Sequence, residues 1–352
     1  MEKEIPSQIN KQCILITGGC GYIGSHTSLL ILQKSKSFYP VILDFNIKQN
    51  SSKVLIENGI EIFEGNINDK EILRKIQEKH KIIAVMQFAA YIEAGESVTN
   101  PKKYFENNVN NFEKFLEGIR ELKTVKNIIY SSSAAVYGVH TTSIKEDFDK
   151  KPVNPYGETK LQGEKILEKF SLENEVKSIA LRYFNAAGCI ENGVIGEEHE
   201  PETHLIPRLI QNILNDKPVS VFGNDYPTKD GTCVRDYIHV LDLADGHLKA
   251  LELISNSIEK SSFDYFNLGS GKGYSILEVI ENLQLVINEN EKNELKNYKI
   301  QINYEGRREG DPAFLVASTE KAEKVLKVKL NYNLKQILKS AFNFFLKKKQ
   351  LN

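Results

Sequence analysis

The stretch C-I-L-I-T-G-G-C-G-Y-I-G occupies residues 13–24 of a chain of 352 residues. Its apolar start predicts a buried strand, and its glycines then read G-x-x-G-x-x-G from Gly18 and G-x-G-x-x-G from Gly19. Such glycines permit a tight turn, let the backbone approach a pyrophosphate and let a helix pack closely on the strand. The helix that follows offers unpaired N–H groups and the positive end of its dipole to phosphates. The stretch therefore predicts a strand, a phosphate-binding turn and a helix.

A second apolar run ends in a carboxylate. Val41-Ile42-Leu43 leads into Asp44, which stands twenty residues after Gly24. A carboxylate at that point accepts hydrogen bonds from the adenosine ribose of a dinucleotide and repels a 2′-phosphate, so NAD is favoured over NADP. The alternatives are a plain tight turn for the glycines and an ordinary strand-end residue for Asp44.

Further apolar runs alternate with helix-like stretches through the first half of the chain. Strands are predicted at 13–17, 41–44, 82–88, 127–131 and 178–183, and helices at 24–34, 70–79, 104–122 and 156–174. Continuous apolar strands alternating with helices are typical of a parallel sheet that is covered on both faces. The expected fold class is α/β, a Rossmann-type doubly wound parallel sheet with a smaller mixed α/β C-terminal substrate domain.

The alternation loosens after about residue 185. Residues 193–207 are rich in Gly, Glu and Pro and predict a long loop, and strands are predicted at 219–222 and 300–304. We therefore expect a dinucleotide-binding domain over residues 1–185 and a substrate domain over 186–352, interleaved with the first.

Composition excludes several classes of protein. Lys and Arg number 46 against 47 Asp and Glu, which leaves a net charge of −1 and no basic field to attract nucleic acid. No apolar run approaches the length of a membrane span, and no signal sequence is visible, so a cytoplasmic protein is expected. The four cysteines have neither a disulfide nor a zinc spacing, and no metal site is predicted.

A tyrosine and a lysine form a candidate acid–base pair. Tyr156 and Lys160 are four residues apart behind Pro155, so they share one face of a predicted helix. An ammonium group close to a phenol favours the phenolate and lowers the phenol's pKa. The pair could then remove a proton from a sugar hydroxyl while hydride leaves the same carbon. The alternative is an exposed helix pair.

Serines close a strand at 131–133, and Ser133 could hydrogen-bond the reacting hydroxyl, because strand ends at the carboxyl edge of such a sheet face the ligand. The alternative is a simple polar strand end.

These motifs together resemble the UDP-glucose (UDP-galactose) 4-epimerase family of the extended short-chain dehydrogenase/reductase superfamily. The resemblance runs from about residue 13 to about residue 330. It is carried by G-G-C-G-Y-I-G-S-H-T at 18–27, G-E-S-V at 95–98, S-S-S-A-A-V-Y-G at 131–138, P-Y-G-E-T-K at 155–160, R-Y-F-N at 182–185, F-G-N-D-Y-P-T at 222–228, V-R-D-Y-I-H-V at 234–240 and R-R-E-G-D at 307–311.

The resemblance implies one tightly held NAD and a reversible inversion at C4 of the hexose of UDP-galactose or UDP-glucose. Tyr156 would be the base, Lys160 would tune it, and Ser133 would hold the substrate hydroxyl. Hydride would pass to NAD, the 4-keto sugar would swing about its pyrophosphate link, and hydride would return to the other face. A homodimer is expected by the same analogy, formed through helices near 104–122 and 156–174.

Two sets of binding residues follow from the resemblance. The cofactor set comprises Gly18, Gly21, Tyr22, Ile23, Gly24, Asp44, Asn46, Asn66, Ile67, Phe88, Ala89, Asn107, Tyr156, Lys160 and Tyr183. The substrate set comprises Ser133, Tyr156, Phe184, Asn185, His204, Leu205, Phe222, Arg235, Tyr237, Arg308, Asp311 and Leu315. The two arginines suit phosphate because a guanidinium fork matches its oxygens.

Some positions depart from the commoner family pattern. Asn66 replaces an Asp near the adenine, Gln87 a His, Ile92 a Lys near the cofactor, Ala135 a Thr beside Ser133, and His204 an Asn in the uridine-side loop. Leu315 lies where the gate residue of the sugar pocket falls, and its intermediate size leaves UDP-N-acetylglucosamine open as a second substrate. The alternative for Leu315 is core packing.

Three other functions are weighed against the epimerase. A nucleotide-sugar 4,6-dehydratase or decarboxylase would share the scaffold, but a dehydratase carries an Asp-Glu pair where Ala134-Ala135 stand here. A reductase that uses free cofactor would release NADH. A catalytically dead nucleotide-sugar sensor would bind without converting, which the intact Tyr156, Lys160 and Ser133 argue against.

Overall fold

The computed structural model of the chain describes residues 11–289, 298–308 and 310–351. Its strands are β1 Gln12–Thr17, β2 Phe38–Asp44, β3 Glu61–Glu64, β4 Ile82–Gln87, β5 Asn127–Ser133, β6 Lys177–Tyr183, β7 Asn185–Ala187, β8 Val219–Phe222, β9 Val234–His239, β10 Ser262–Leu268, β11 Gly273–Ser275, β12 Ile302–Glu305 and β13 Phe314–Leu315.

The helices alternate with these strands. They are α1 Tyr22–Lys34, α2 Asn50–Glu57, α3 Lys70–His80, α4 Ala94–Thr99, α5 Pro101–Phe105, α6 Asn111–Leu122, α7 Pro155–Glu173, α8 Leu205–Leu214, α9 Val240–Ser255, α10 Ile276–Glu289 and α11 Leu334–Leu351. Short π-helical segments cover Glu106–Asn110 and Ala322–Leu326, and one 3₁₀ turn covers Ala134–Val136.

A seven-stranded sheet forms the larger part of the molecule. Its order is β10-β6-β5-β4-β1-β2-β3, and every neighbouring pair is parallel. The chain order reverses between β1 and β4, which is the switch point where ligands bind in such sheets. The predicted Rossmann-type parallel sheet is confirmed.

Both faces of this sheet are buried, as its continuous apolar runs predict. Ile14 and Ile16 of β1 enter a core shared with α1 and α9, whereas Cys13 and Leu15 enter the core on the other face with α3, α6 and α7. Successive residues of a strand point to opposite faces, so both sets must be apolar.

A smaller part of the fold supplies a second core. β9 pairs antiparallel with β11 and parallel with β7 and β13, while β8 pairs with β12. Apolar faces of α8, α10 and α11 pack together beside these strands. The predicted domain boundary at residue 185 stays a prediction. After that residue, the chain contributes β10 to the large sheet and α9 to the helices that pack against it.

The structure differs from the predicted elements at three places. The helix predicted over 104–122 is interrupted by the π-helical segment Glu106–Asn110. The loop predicted over 193–207 gives way to α8 at Leu205, and the strand predicted over 300–304 runs over Ile302–Glu305. Within the described ranges, no helix is both long and apolar enough to cross a membrane. All four cysteines are buried and unpaired.

Candidate active site

The glycine turn joins β1 to α1 at the switch point of the large sheet. Gly18 has a φ of +68°, and a Cβ there would lie 2.6 Å from the backbone nitrogen of Ala89. A Cβ on Gly24 would overlap the carbonyl oxygen of Gly18. Gly21 begins the helix, and the amide of Ser25 donates to its carbonyl over 3.0 Å. The backbone of the glycine turn is therefore closely packed. The first backbone amides of α1 have no partner within the helix and can donate to a phosphate.

Asp44 is tied directly to this turn. Its Oδ2 accepts from the amide of Cys20 at 2.9 Å, and its Oδ1 accepts from the amide of Asn46 at 2.9 Å. Burial raises the pKa of Asp44, and the amides of Asn46 and Cys20 oppose that rise. Each carboxylate oxygen has a second lone pair. Asp44 can therefore brace the turn and still accept from a ribose hydroxyl.

The residues at this switch point fit a dinucleotide. Thr17, the last residue of β1, is buried, and its Oγ1 has no hydrogen-bond partner among the described residues. Phe88 and Ala89 follow β4, where the amide of Phe88 donates to the carbonyl of Thr17 over 2.9 Å. An unpartnered hydroxyl, a helix N-terminus and a ribose-accepting carboxylate are what a dinucleotide requires.

Other predicted cofactor residues lie around the same edge. Asn66 and Ile67 follow β3, with Asn66 exposed, and Asn46 is exposed just beyond β2. Tyr22 and Ile23 lie in the first turn of α1, and the Tyr22 hydroxyl donates to the carbonyl of Gly188 over 2.6 Å. Tyr22 therefore fastens the glycine turn to the segment after β7.

Asn107 lies in the π-helical segment and donates to its neighbour Asn108 over 2.9 Å. The buried Asn108 bonds both backbone groups of Tyr91, each at 2.9 Å, and donates to Thr159 of α7 over 3.2 Å. It thereby joins the loop after β4 to α7, the helix that carries Tyr156 and Lys160. Sequence reasoning missed Asn108; its place beside Asn107 in an N-N pair was the available signal.

The predicted acid–base residues converge at the carboxyl end of β5. Asn154 caps α7 by accepting from Gly157, and the amide of Tyr156 donates to Ser97 Oγ over 3.1 Å. Lys160 follows one turn later and donates from Nζ to the carbonyl of Ser131 over 2.7 Å. Its Nζ lies 5.9 Å from the centre of the Tyr156 ring. The pair is not an exposed helix pair, because Lys160 is buried and Tyr156 half-buried.

Ser133 stands at the end of β5, opposite Tyr183 of β6. Its Oγ accepts from the amide of Ala135 over 3.1 Å, which leaves the hydroxyl proton for another acceptor. Tyr183 is buried, and its hydroxyl bonds Nε2 of His247. The structure therefore places Ser133, Tyr156 and Lys160 at one strand end, as the motifs predict.

The electrostatics differ from the sequence expectation. Burial raises the pKa of Tyr156 to about 12, and the Ser133 hydroxyl opposes that rise. Burial also lowers the pKa of Lys160 to about 7, against the attraction of Glu164. Lys160 is not among the groups that lower the pKa of Tyr156 here. Each group is pushed toward its neutral form, so formation of the phenolate needs a further positive charge in the site.

A buried ion pair anchors α7, the helix that carries Tyr156 and Lys160. Glu164 of α7 accepts from Nε and Nη2 of Arg182 over 2.8 and 2.7 Å and from the Ser132 hydroxyl over 2.5 Å. Arg182 is fully buried and also donates to the Tyr137 hydroxyl over 2.7 Å. The motif residues Ser132, Tyr137 and Arg182 thus fix α7 on the sheet.

Four of the predicted substrate residues, Asn185, Arg235, Tyr237 and Leu315, lie on the four-stranded sheet. Asn185 of β7 pairs in register with Tyr237 of β9, and Arg235 of β9 pairs with Leu315 of β13. Asn185 also donates to the carbonyl of Asp236 over 3.0 Å. Three strands from distant parts of the chain therefore bring these residues together.

Two charged residues and an aromatic ring face the same region. Arg235 pairs with Asp311 and is buried. The guanidinium of Arg308 lies 4.0 Å from the centre of the Phe222 ring and is exposed. A cation above an aromatic ring is attracted by the ring's negative face. Phe222 therefore positions the guanidinium fork of Arg308 at the end of β8.

Leu315 packs against a core, and its role as a gate residue stays a prediction. It is half-buried and packs against a small apolar cluster that contains Phe184, Ala134 and Tyr137. The side chain thus extends a core and also stays partly exposed beside the strand end that carries Ser133.

The loop before α8 holds the remaining predicted residues. His204 caps the helix from its extended backbone, and Leu205 is the first helical residue. Nδ1 of His204 lies 3.1 Å from Glu202 and 3.2 Å from Glu197. Sequence reasoning missed the two glutamates and their neighbour His199. The recurrence Glu-x-His-x-x-Glu-x-His over 197–204 was the signal that could have indicated them.

Comparison with known proteins identifies the family. A family model described as NAD dependent epimerase/dehydratase family matches residues 14–269. The chain is 41% identical over 334 residues to the UDP-glucose 4-epimerase of Halalkalibacterium halodurans, which covers 94% of this chain and 95% of that protein.

Two solved structures share the overall fold of this chain. The UDP-glucose 4-epimerase from Bifidobacterium longum, in complex with NAD⁺ and UDP, is 32% identical with a TM-score of 0.85, covering 96% of this chain and 99% of that one. The UDP-Glc/GlcNAc 4-epimerase from Campylobacter jejuni is 34% identical with a TM-score of 0.77, over 96% and 99% of the two chains.

The chain therefore belongs to the NAD dependent epimerase/dehydratase family. Within that family, its resemblance to the UDP-glucose 4-epimerases is confirmed over nearly the full length, as is the prediction that it is an epimerase.

Proposed function

We propose that this chain interconverts UDP-galactose and UDP-glucose by NAD-dependent oxidation at C4, turning of the 4-keto sugar and re-reduction. The observation that carries the proposal is the meeting of Tyr156, Lys160 and Ser133 at the carboxyl end of β5, on the edge that holds the glycine turn. The names of its relatives point to the same reaction.

Proton transfer at the sugar belongs to Tyr156. Once the positive ring of NAD favours its phenolate, the Tyr156 oxygen takes the proton from the C4 hydroxyl, and the Ser133 hydroxyl bonds the same sugar oxygen. When bound, NAD accepts hydride from C4, returns it, and contributes a positive ring. After the sugar has turned, Tyr156 returns its proton to the same oxygen. Ser131 holds Lys160 with its Nζ 5.9 Å from the centre of the Tyr156 ring, so that an ammonium there, once protonated, supports the phenolate together with the positive ring of NAD.

The nucleotide must stay bound while the sugar turns. Arg308 and the buried Arg235 supply guanidinium groups for the two phosphates, and Phe222 and Asp311 fix their positions. The segments proposed to hold UDP lie in or next to the two smaller sheets, whereas Ser133, which is proposed to contact the reacting hydroxyl, ends a strand of the large sheet. This division lets the hexose move against a fixed anchor.

The test is conversion by the purified chain without added nucleotide. We expect UDP-glucose to appear from UDP-galactose with no release of NADH. Tyr156→Phe should lower turnover by about 10²–10⁴-fold while NAD stays bound, because a positioned general base contributes that much.

Tyr39→Phe is the matched control, since its hydroxyl faces His80 at the far end of β2. If the turnover of Tyr156→Phe stays within tenfold of that of the unaltered chain, Tyr156 is not the general base. Stoichiometric NADH in the medium would instead favour a reductase, and binding without conversion a sensor.

Leu315 and the likeness to a UDP-Glc/GlcNAc 4-epimerase support a second substrate, UDP-N-acetylgalactosamine. We expect measurable conversion of it, and Leu315→Tyr to reduce that conversion at least tenfold more than conversion of UDP-galactose, because a larger ring fills space for the acetyl group. Leu315→Met preserves the volume and is the control. Equal effects on both substrates would contradict a gating role.

We also propose a cytoplasmic homodimer, formed through the helices at 104–122 and 156–174. Leu172 supports it, because this apolar residue of α7 is 59% exposed in the single chain. Light scattering should give twice the chain mass of 40.0 kDa, and Leu172→Glu should shift the mass toward one chain. A single-chain mass before substitution would reject the dimer.

A further inference from the structure

Four side chains of the loop between β7 and α8 point at one another. Glu197, His199, Glu202 and His204 each offer one ligand atom, and these atoms all lie within 4.8 Å of one another. None of these residues is required for the proton transfer described above, and they come from eight consecutive residues of one loop.

The spacing matches the edges of a metal tetrahedron. Zinc binds imidazole nitrogen at about 2.0–2.1 Å and carboxylate oxygen at about 2.0–2.2 Å, which makes a tetrahedral edge of about 3.3–3.5 Å. Nδ1 of His204 lies 3.2 Å from Oε1 of Glu197, and it also forms a hydrogen bond of 3.1 Å with Oε1 of Glu202. Nδ1 of His199 lies 3.7 Å from Oε1 of Glu197 and 3.6 Å from Oε2 of Glu202. The three distances among Oε1 of Glu197, Oε2 of Glu202 and the two imidazole nitrogens bracket the edge that zinc requires.

Two polar atoms inside the cluster have no hydrogen-bond partner in the part of the chain that the structure describes. Oε2 of Glu202 is buried without a hydrogen bond among the described residues, and so is Nδ1 of His199. Their separation of 3.6 Å is too long for a hydrogen bond. The Glu202 side chain is 4% exposed and its free oxygen is directed into the cluster. An unpartnered buried carboxylate oxygen is costly unless a cation neutralises it.

Charge and orientation agree with a divalent cation. Glu197 is 7% exposed, so two carboxylates are buried side by side and together balance a charge of +2. Oε1 of Glu202 is held by the amides of Thr203 and His204 over 2.9 and 2.8 Å. Hydrogen bonds of this kind orient metal ligands before the ion binds.

We propose that Glu197, His199, Glu202 and His204 bind a zinc ion that fixes the loop before α8. Coordination through Nδ1 leaves Nε2 of His204 as a donor, beside the Leu205 that is proposed to contact the nucleotide. Between the ligands, the Thr203 hydroxyl bonds Glu93, the residue that caps α4 beside the catalytic helix. The ion would thus connect this loop to the edge of the active site.

The test measures metal rather than turnover. The full chain is stripped with a chelator, dialysed and titrated with Zn²⁺, and bound metal is counted by mass spectrometry. We expect about one zinc per chain, the number that one four-ligand site takes. His199→Gln with Glu202→Gln should abolish uptake. Glu200→Gln is the matched control, because this exposed glutamate lies in the same loop outside the cluster.

A second readout does not depend on a variant that folds. Co²⁺ bound to the unaltered chain should give the intense visible absorption of a four-coordinate site, and Zn²⁺ should raise its melting temperature. Three results would overturn the zinc site: no uptake at micromolar zinc, equal uptake by the double variant, or only the weak spectrum of six-coordinate Co²⁺. The four residues would then form a His–Glu hydrogen-bond network without a metal. Because epimerase turnover is measured separately, failure of the zinc site does not touch the proposed reaction.

Discussion

At the scale of single residues, the shape of the glycine turn depends on the close approach of its backbone to α1 and to the segment after β4. Gly24 in the first turn of α1 has no space for a side chain toward Gly18, and Gly18 has none toward Ala89. The same closeness allows a phosphate to reach the amides of α1. The sequence pattern predicts these positions well, because only glycine satisfies both the positive φ at residue 18 and the close approach.

Gly24→Ala should therefore damage the cofactor site. The added Cβ would overlap the carbonyl oxygen of Gly18, which is backbone and cannot rotate away. We expect the NAD content of the purified protein to fall at least tenfold and the melting temperature to drop, both measured on the same sample.

Gly95→Ala in α4 is the control for Gly24→Ala. A Cβ at Gly95 meets nothing within 4 Å, so the exchange should leave NAD content unchanged and stabilise the helix by up to about 1 kcal/mol. Retention of NAD in Gly24→Ala would show that the turn can open at little cost.

At the scale of elements, the protonation of buried groups was harder to predict than the positions of the strands along the chain. The apolar runs at residues 13–17 and 127–131 indicate buried strands because both of their faces are covered. The lowering of the pKa of Tyr156 by Lys160 stays a prediction, because burial in the chain alone raises the pKa of Tyr156 and lowers that of Lys160. Sequence spacing places two groups on one helix face but does not report how much water they lose.

The loop before α8 shows the same limit. Glu197, His199 and Glu202 fit no standard zinc spacing, and only the folded loop brings their ligand atoms together with His204. The strand β10 was missed for a related reason. Polar residues alternate with aromatic ones in S-F-D-Y-F-N-L, and its place at the sheet edge follows from tertiary pairing with β6.

Glu164→Gln tests how firmly α7 is anchored. It leaves the charge of the fully buried Arg182 uncompensated, and breaking one side of a buried pair costs about 3–5 kcal/mol. We expect that loss in the free energy of unfolding by urea, together with lower turnover because Lys160 lies one turn away. Glu168→Gln, an exposed change on the same helix, should cost less than about 0.5 kcal/mol. Similar costs for the two variants would mean that the pair does not hold the helix.

At the scale of the whole molecule, neutral buried histidines join segments that are far apart in the chain. His26 of α1 contacts the carbonyl of Tyr22 at 2.7 Å through Nδ1 and accepts from the amide of Ile190 at 3.2 Å through Nε2. His239 reaches Ser340 of α11, and His247 reaches Tyr183 of β6. Burial lowers the pKa of His26 to about 4, of His239 to about 3 and of His247 to about 4.

These histidines predict acid sensitivity that does not depend on the active site. Unfolded histidine takes up its proton near pH 6.5, whereas folded His26 does so only near pH 4. Between those values the unfolded chain binds more protons, so the free energy of unfolding falls as the pH falls. Each such histidine contributes a slope of about 1.4 kcal/mol per pH unit, opposed by buried carboxylates such as Asp236 whose pKa is raised.

His26→Gln isolates one of these contributions from the rest of the molecule. Urea unfolding at pH 6.5, 5.5 and 4.5 should show a slope that is shallower than that of the unaltered chain by about 1.4 kcal/mol per pH unit near pH 5. The variant is also less stable at pH 7, because Gln cannot reproduce both ring contacts, but an offset that is constant with pH does not alter the slope. His140→Gln, on the loop after β5, should change neither quantity by more than about 0.5 kcal/mol. If His26→Gln kept the full slope, the proton that destabilises the fold in acid would enter elsewhere, and the contact between α1 and the segment after β7 would not be the part of the molecule that opens.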